Sequence, residues 1–169
     1  MLGRRFLELF VNSTHTNTPH VILPPPVFFV SALLLGIVLD RVLPIAVAPP
    51  FAYPFLRLAA ILISTASGSL AAAAFLTLRR HHTTFKTDRP VAALVTTGPF
   101  RLTRNPLYLS LALLIVAVSA FLNSPWAIAF LVPALVLVQR HAIRPEERYL
   151  LQAYGSEYEK YCRNVRRWV

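Results

Sequence analysis

Two stretches of this chain, Val21–Leu39 and Leu58–Leu78, contain no charged residue at all. Each is close to the ~20 residues that a helix needs to cross the hydrocarbon of a bilayer. A backbone inside hydrocarbon has no water to bond to, so a crossing segment must be a helix or part of a closed barrel. Runs this continuous, without alternation of polar and apolar residues, specify helices. Two further apolar blocks, Leu107–Leu122 and Trp126–Val138, are separated by Asn123-Ser124-Pro125. They read as the arms of a helical hairpin, the second extended through Gln139 to about His141. The expected fold is therefore all-α: a polytopic bundle of about four transmembrane helices, followed by a C-terminal amphipathic helix at the interface. The bulk composition agrees, with 56% hydrophobic residues, 14% charged residues and a mean hydropathy of +0.55.

The formal charge of +10 is explained by where the cations fall. With four spans and the N-terminus inside, only Arg41 and Arg57 of the seventeen Lys and Arg lie on the outer side. This is the positive-inside pattern, and it places both termini in the cytoplasm, with some attraction to anionic membrane lipid added. Nucleic acid is not an expected partner, because the chain lacks a soluble basic face. The single Cys162 excludes an intramolecular disulfide. No metal site is expected either: His81 and His82 are adjacent and point to different sides of a helix, while His15, His20 and His141 are scattered. The compact loops, and the lack of an organelle signal, suit a bacterial inner membrane.

The chain divides into an N-terminal lead (1–20), a two-span packing half (21–78) and a polar, chemistry-bearing half (79–169), all in one domain. Span two is rich in Ser64, Ser67, Gly68 and Ala71–Ala74. Small residues let helices approach closely in a bilayer, so this span is expected at the bundle centre, away from lipid. Residues 79–106 form a long segment between spans, too apolar at Phe85, Val91, Leu94, Val95 and Phe100 for a disordered linker. A loop of that length without its own regular structure points to function. After span four, Pro145 suits a first helical position, and Glu146 and Glu147 complement the helix dipole. Leu150, Tyr154, Tyr158, Tyr161 and Val165 then recur at helical spacing, with a break suggested at Gly155.

Two polar clusters thus fall on one side of the membrane. One is Arg101–Tyr108 at the start of span three; the other is Arg140–Glu147 at the end of span four. The short link between those spans makes them antiparallel neighbours, so the two clusters converge. Guanidinium donors for a carboxylate, an acid for an ammonium and aromatic faces for a ring or sulfonium make a pocket for a zwitterionic ligand.

The stretch "LVTTGPFRLTRNPLYLS", followed about forty residues later by "EERYLLQAYGSEYEKYCRNVRRW", resembles the isoprenylcysteine carboxyl methyltransferase family and its bacterial relatives. These are integral-membrane enzymes related to phospholipid methyltransferases. The resemblance covers roughly residues 83–169. It implies a site for S-adenosylmethionine in which Leu94, Val95 and Phe100 line the cofactor, and Asn105, Pro106, Leu107 and Tyr108 hold its adenosyl and methionyl parts. Glu146 would take the methionine ammonium or a ribose hydroxyl, while Arg144 or Arg140, with Glu147, would face a small or lipidic carboxylate, thiol or amine acceptor at the cytoplasmic face. Asn105 stands where the eukaryotic enzymes have His and cannot be charged near neutral pH. Ser110 replaces a common Gly, so a prenylated protein is not implied as substrate. Membrane reductases of the sterol-reductase type, which bind NADPH in a similar C-terminal arrangement, are the enzymatic alternative. A membrane protein with a degenerate pocket is the non-catalytic one.

Overall fold

The computed structural model describes residues 24–81 and 94–168, and every regular element among them is helical. The N-terminal lead and the part of the polar segment holding His82, Phe85, Lys86, Arg89 and Val91 lie outside the described residues. Helix α1 spans Pro25–Val42, α2 Tyr53–Arg80, α3 Pro106–Leu122, α4 Trp126–Val138 and α5 Arg144–Asn164. Prolines start three of the four apolar helices, within the first two positions of α1, α2 and α3. The missing N–H costs nothing there, because the first turn has no intrahelical acceptor for it.

Helix α4 continues into α5 through a π-helical turn at Gln139–Ile143. The combined helix Trp126–Asn164 has 39 residues, about 58 Å at ~1.5 Å per residue. A hydrocarbon core is only ~30 Å thick. The apolar part, through Ile143, is the spanning part, and α5 with its charged residues lies beyond it. Glycine 155 adopts φ 49°, ψ −122° inside α5 and kinks it, where the sequence suggested a break.

Helices α3 and α4 form the centre. Their hairpin closes at Asn123, whose left-handed φ of 54° turns the chain. Asn123 also ties down the α1–α2 loop: Ala48 N–H donates to its Oδ1 and its Nδ2 donates to the Ala48 carbonyl, both at 2.9 Å. Helix α1 packs along α4, and α2 packs along α3. The core joins Phe29 and Ala32 of α1 to Tyr108, Ala112 and Ile115 of α3 and Ala127, Leu131, Ala134 and Val138 of α4. Much of it is alanine, as close backbone approach requires where lipid tails are as apolar as the side chains. At Gly36 a Cβ would lie 2.5 Å from the Ala127 Cα, so α1 and α4 touch backbone to backbone.

Helix α2 corrects one expectation. It does not occupy the bundle centre: Leu58, Ile61, Leu62, Phe75 and Leu76 are all at least half exposed. Only a narrow stripe of small residues, Ala60, Ser67 and Ala74, is buried. These recur every seventh position, two turns apart on one face. Ser67 Oγ donates to the Ser110 carbonyl at 2.7 Å. The small residues mark a one-sided contact with α3.

Candidate methyl-donor site

The segment from Leu94 to Tyr108 is shaped before it reaches α3. Gly98 takes φ +59°, and a Cβ there would meet Thr77 Oγ1 at 2.8 Å. Glycine is therefore required both by the left-handed backbone and by the approach of α2. Thr97 Oγ1 and His81 Nε2 lie within hydrogen-bond distance (3.1 Å), fixing the turn to the end of α2. A 3₁₀ turn at Gly98–Arg101 follows, with Pro99 buried, and Asn105 then precedes Pro106 at the start of α3.

The C-terminal tail folds back onto this segment. Thr103 Oγ1 and Asn105 Nδ2 both donate to the Arg167 carbonyl, at 3.1 and 3.0 Å. Arg104 N–H donates to the Arg166 carbonyl at 3.0 Å, and Tyr161 donates its hydroxyl to the Phe100 carbonyl at 2.7 Å. Trp168 Nε1 donates to Gln139 Oε1 at 3.3 Å, bringing in the π-helical turn. Thus the irregular segment and the C-terminal residues satisfy each other's backbone groups at Phe100, Arg104, Arg166 and Arg167.

At the centre stands Glu147. Arg167 donates Nε to its Oε1 at 2.9 Å and Nη2 to its Oε2 at 2.6 Å. Arg104 Nη1 approaches Oε1 at 3.0 Å and also donates to Cys162 Sγ at 2.8 Å. The hydrogen bonds to Glu147, more than burial, hold the Arg167 guanidinium above its ordinary proton affinity. Burial drives the Tyr161 hydroxyl up to about 12, against the opposing pull of Arg104. The buried Tyr158 is raised as well, first by burial and then by Glu147.

Two groups in this corner have no partner among the described residues. Arg104 Nε is buried with no partner, a state that costs about 1–3 kcal/mol. Glu146, partly buried beside Glu147, receives no hydrogen bond or ion pair from any described residue. Burial pushes its carboxyl up to about 7, and the neighbouring Glu147 adds to the effect. Tyr108, buried at 4% exposure and stacked on Phe29 with centroids 6.3 Å apart, lies within electrostatic reach of Glu146.

The sequence-derived residues therefore fall into groups. Asn105, Pro106, Leu107 and Tyr108 lead from the tail contact into α3, with Pro106 and Tyr108 buried. Phe100 is tied to α5 through its carbonyl, Val95 is buried and Leu94 half-buried. Glu146 and Glu147 open α5. Arg140 and Arg144 are exposed, and Glu147 pairs with Arg104 and Arg167 instead of with them. The sequence reading assigns Arg167, Thr103 and Tyr158 no individual role in the site, although Tyr158 falls in the helical repeat of α5. The scarcity of acids, seven in the chain, was the available signal: a Glu-Glu pair inside so basic a region calls for close cations. Among the described residues, no group of three His, Cys, Asp or Glu could hold a metal.

Comparison with known proteins matches this region. Residues 56–157 match the phospholipid methyltransferase family, a span running from the start of α2 into α5. An uncharacterized protein of Haemophilus influenzae is 33% identical over 63 residues, which is 37% of this chain and the whole of that protein. No solved structure matches. The matched span takes in the Gly98 turn, the Asn105–Tyr108 start of α3 and the Glu146-Glu147 pair together, and the chain belongs to the phospholipid methyltransferase family of integral-membrane methyltransferases.

Proposed function

We propose that this protein transfers a methyl group from S-adenosylmethionine to a small or lipidic acceptor at the cytoplasmic face of a bacterial inner membrane. The observation that carries the reading is a pair of groups in one corner that have no partner among the described residues: Glu146 without a cation and Arg104 with an unused, buried Nε. A buried charge or donor without a partner is costly, and an amino-acid zwitterion is the complement of this pair. Its ammonium meets Glu146, and its carboxylate meets Arg104. Leu94, Val95 and Phe100 supply apolar and aromatic lining, and Asn105, Pro106, Leu107 and Tyr108 shape the wall toward α3.

The donor, when bound, supplies an electrophilic methyl group on a sulfonium. The protein's part is to hold the donor and acceptor in line and to keep water out. Tail residues Arg166–Trp168, clamped by Glu147, close the site over the start of α3. Arg140 and Arg144, both exposed and without a described counter-ion, face the acceptor and favour an anionic one. A carboxylate or thiolate acceptor needs no general base. With both oxygens of Glu147 engaged by guanidinium groups, its role is to hold Arg104 and the tail.

Calorimetric titration of the detergent-purified protein with S-adenosylhomocysteine, beside NADPH, tests the reading. Saturable binding of the former, weakened at least tenfold by Glu146→Ala, is expected. Binding of NADPH in its place, or affinity unchanged by Glu146→Ala, overturns it.

A further inference from the structure

A polar cavity lies at the opposite end of the bundle from Glu146. It measures about 300 Å³ and sits between the end of α1, the first turns of α2 and the end of α3. Asp40 of α1 and Tyr53 and Arg57 of α2 give it polar edges, while Leu56, Phe121 and Leu122 give it apolar walls. The Arg57 guanidinium sits over the Phe121 ring, 5.8 Å from its centroid. Neither Asp40 nor Arg57 has an ion-pair partner among the described residues, where both ion pairs fall on Glu147.

An acid and a base that serve only to orient spans need no cavity between them. Here each lines the same space, and neither is neutralised by the other. The aromatic Tyr53 adds a face suited to a cation. Beside the cavity, α1 exposes Leu34, Leu35 and Val38, and α2 exposes Phe55, Leu58, Ile61 and Leu62. These residues lie within six positions of Asp40 and Arg57 along their helices. The Trp126 indole, which donates to the Leu43 carbonyl at 2.7 Å, marks this end as an interfacial level, where tryptophan and tyrosine collect. An occupant with a zwitterionic head and apolar chains satisfies all of these features.

We propose that this cavity binds the headgroup of a zwitterionic phospholipid, the phosphate on Arg57 and the ammonium on Asp40 and Tyr53, with the acyl chains along α1 and α2. This lipid site is separate from the methyl-donor corner and independent of the reading given to it.

Native mass spectrometry of the purified protein with dioleoyl phosphatidylethanolamine or dioleoyl phosphatidylglycerol tests the proposal. The wild type is expected to retain a phosphatidylethanolamine adduct at least fivefold better than a phosphatidylglycerol one. Asp40→Asn should erase that preference, Arg57→Gln should weaken both lipids, and Arg57→Lys should keep the adduct and so report on folding. Equal retention of the two lipids by the wild type, or a preference that survives both Asp40→Asn and Arg57→Gln, overturns the site. So does an adduct lost only in Glu146→Gln, which would place the lipid at the other end. Soluble glycerophosphoethanolamine at millimolar concentration should not displace the lipid; displacement at micromolar concentration would make the ligand a soluble one and overturn the lipid assignment.

Discussion

Arg167 reaches back along the chain and grips Glu147 with two hydrogen bonds, 2.9 and 2.6 Å long. The two side chains are 33% and 17% exposed, so this is a largely desolvated fork, the geometry that arginine provides and lysine does not. It closes the tail over the start of α3. Arg167→Ala should release residues 165–168, seen as faster amide exchange there, and should weaken S-adenosylhomocysteine binding about tenfold, or ~1.4 kcal/mol. Arg167→Lys should recover only part of the loss. Unchanged exchange in Arg167→Ala would show that the side-chain bonds from Thr103 and Asn105 to the Arg167 carbonyl hold the tail by themselves.

Glu147 carries the heavier structural burden, because it faces two guanidinium groups. Glu147→Gln leaves Arg104 and Arg167 without an anion, and Arg104 already has one orphaned nitrogen. Removing one partner from a buried ion pair costs about 3–5 kcal/mol. The partial exposure of Arg167 brings the expectation to the lower end of that range, measured as loss of thermal stability in detergent. The double variant Glu147→Leu, Arg104→Met removes the more buried pair of charges and leaves only the partly exposed Arg167 unpaired, so it should be more stable than Glu147→Gln alone.

Glu146 gives the pH dependence. With its carboxyl raised to about 7 by burial and by Glu147, it is mostly protonated at pH 6 and mostly ionised at pH 8. A ligand ammonium binds the ionised form. Affinity for S-adenosylhomocysteine should therefore rise about tenfold from pH 6 to pH 8, following the ionised fraction. In Glu146→Gln the profile should be flat. The ligand-free protein should move the other way. A carboxyl whose folded proton affinity is raised contributes stability that is present below its ordinary pKa and lost as the pH climbs through 7. Opposite slopes for binding and for ligand-free stability identify Glu146 as the titrating group.

How much of this was legible beforehand depends on the kind of constraint. The spans and the hairpin at Asn123 were readable because a bilayer permits few alternatives. The convergence of Arg101–Tyr108 with the Arg140–Glu147 segment followed from that hairpin. The peripheral position of α2 was not readable: Ala60, Ser67 and Ala74 announce a tight contact but not how many faces make one. The unbroken passage from α4 to α5 was hidden as well, since a π-helical turn has no composition of its own. Arg167 was obscured because a basic tail beside a membrane already has a sufficient reason in topology. Only the fold-back of the tail, set by Tyr161, Thr103 and Asn105, reveals its second use.

Close helix contact makes a paired test at two glycines. At Gly36 a Cβ would stand 2.5 and 2.7 Å from the Ala127 Cα and N, whereas at Gly68 nothing lies within 4 Å. Gly36→Ala must push α1 off α4 and should cost about 1–3 kcal/mol as an overpacking change. Gly68→Ala relieves a helix of its glycine and should be neutral or stabilising by up to ~1 kcal/mol. Equal effects of the two changes on unfolding would mean that α1 and α4 do not meet at this crossing.

Gly98 links the fold to the site, and its two constraints can be separated. Gly98→Ala imposes a Cβ on a φ of +59° and places it 2.8 Å from Thr77 Oγ1. The hydroxyl is itself held by a 2.7 Å bond to the Ala73 carbonyl, so it cannot swing away freely. The backbone part alone costs ~1 kcal/mol, and the contact adds to it. Gly98→Ala should thus lower stability and also weaken S-adenosylhomocysteine binding, because the turn it bends leads straight into Phe100 and Asn105. Combining it with Thr77→Ser, which keeps the Oγ1, should give additive losses. Combining it with Thr77→Ala removes the clash and should restore part of the binding, a coupling of the size seen for residues in contact. The remaining deficit would then measure the left-handed backbone, and Gly98→Asn, which tolerates that conformation, should show less of it. Full additivity with Thr77→Ala would mean that α2 does not brace the turn.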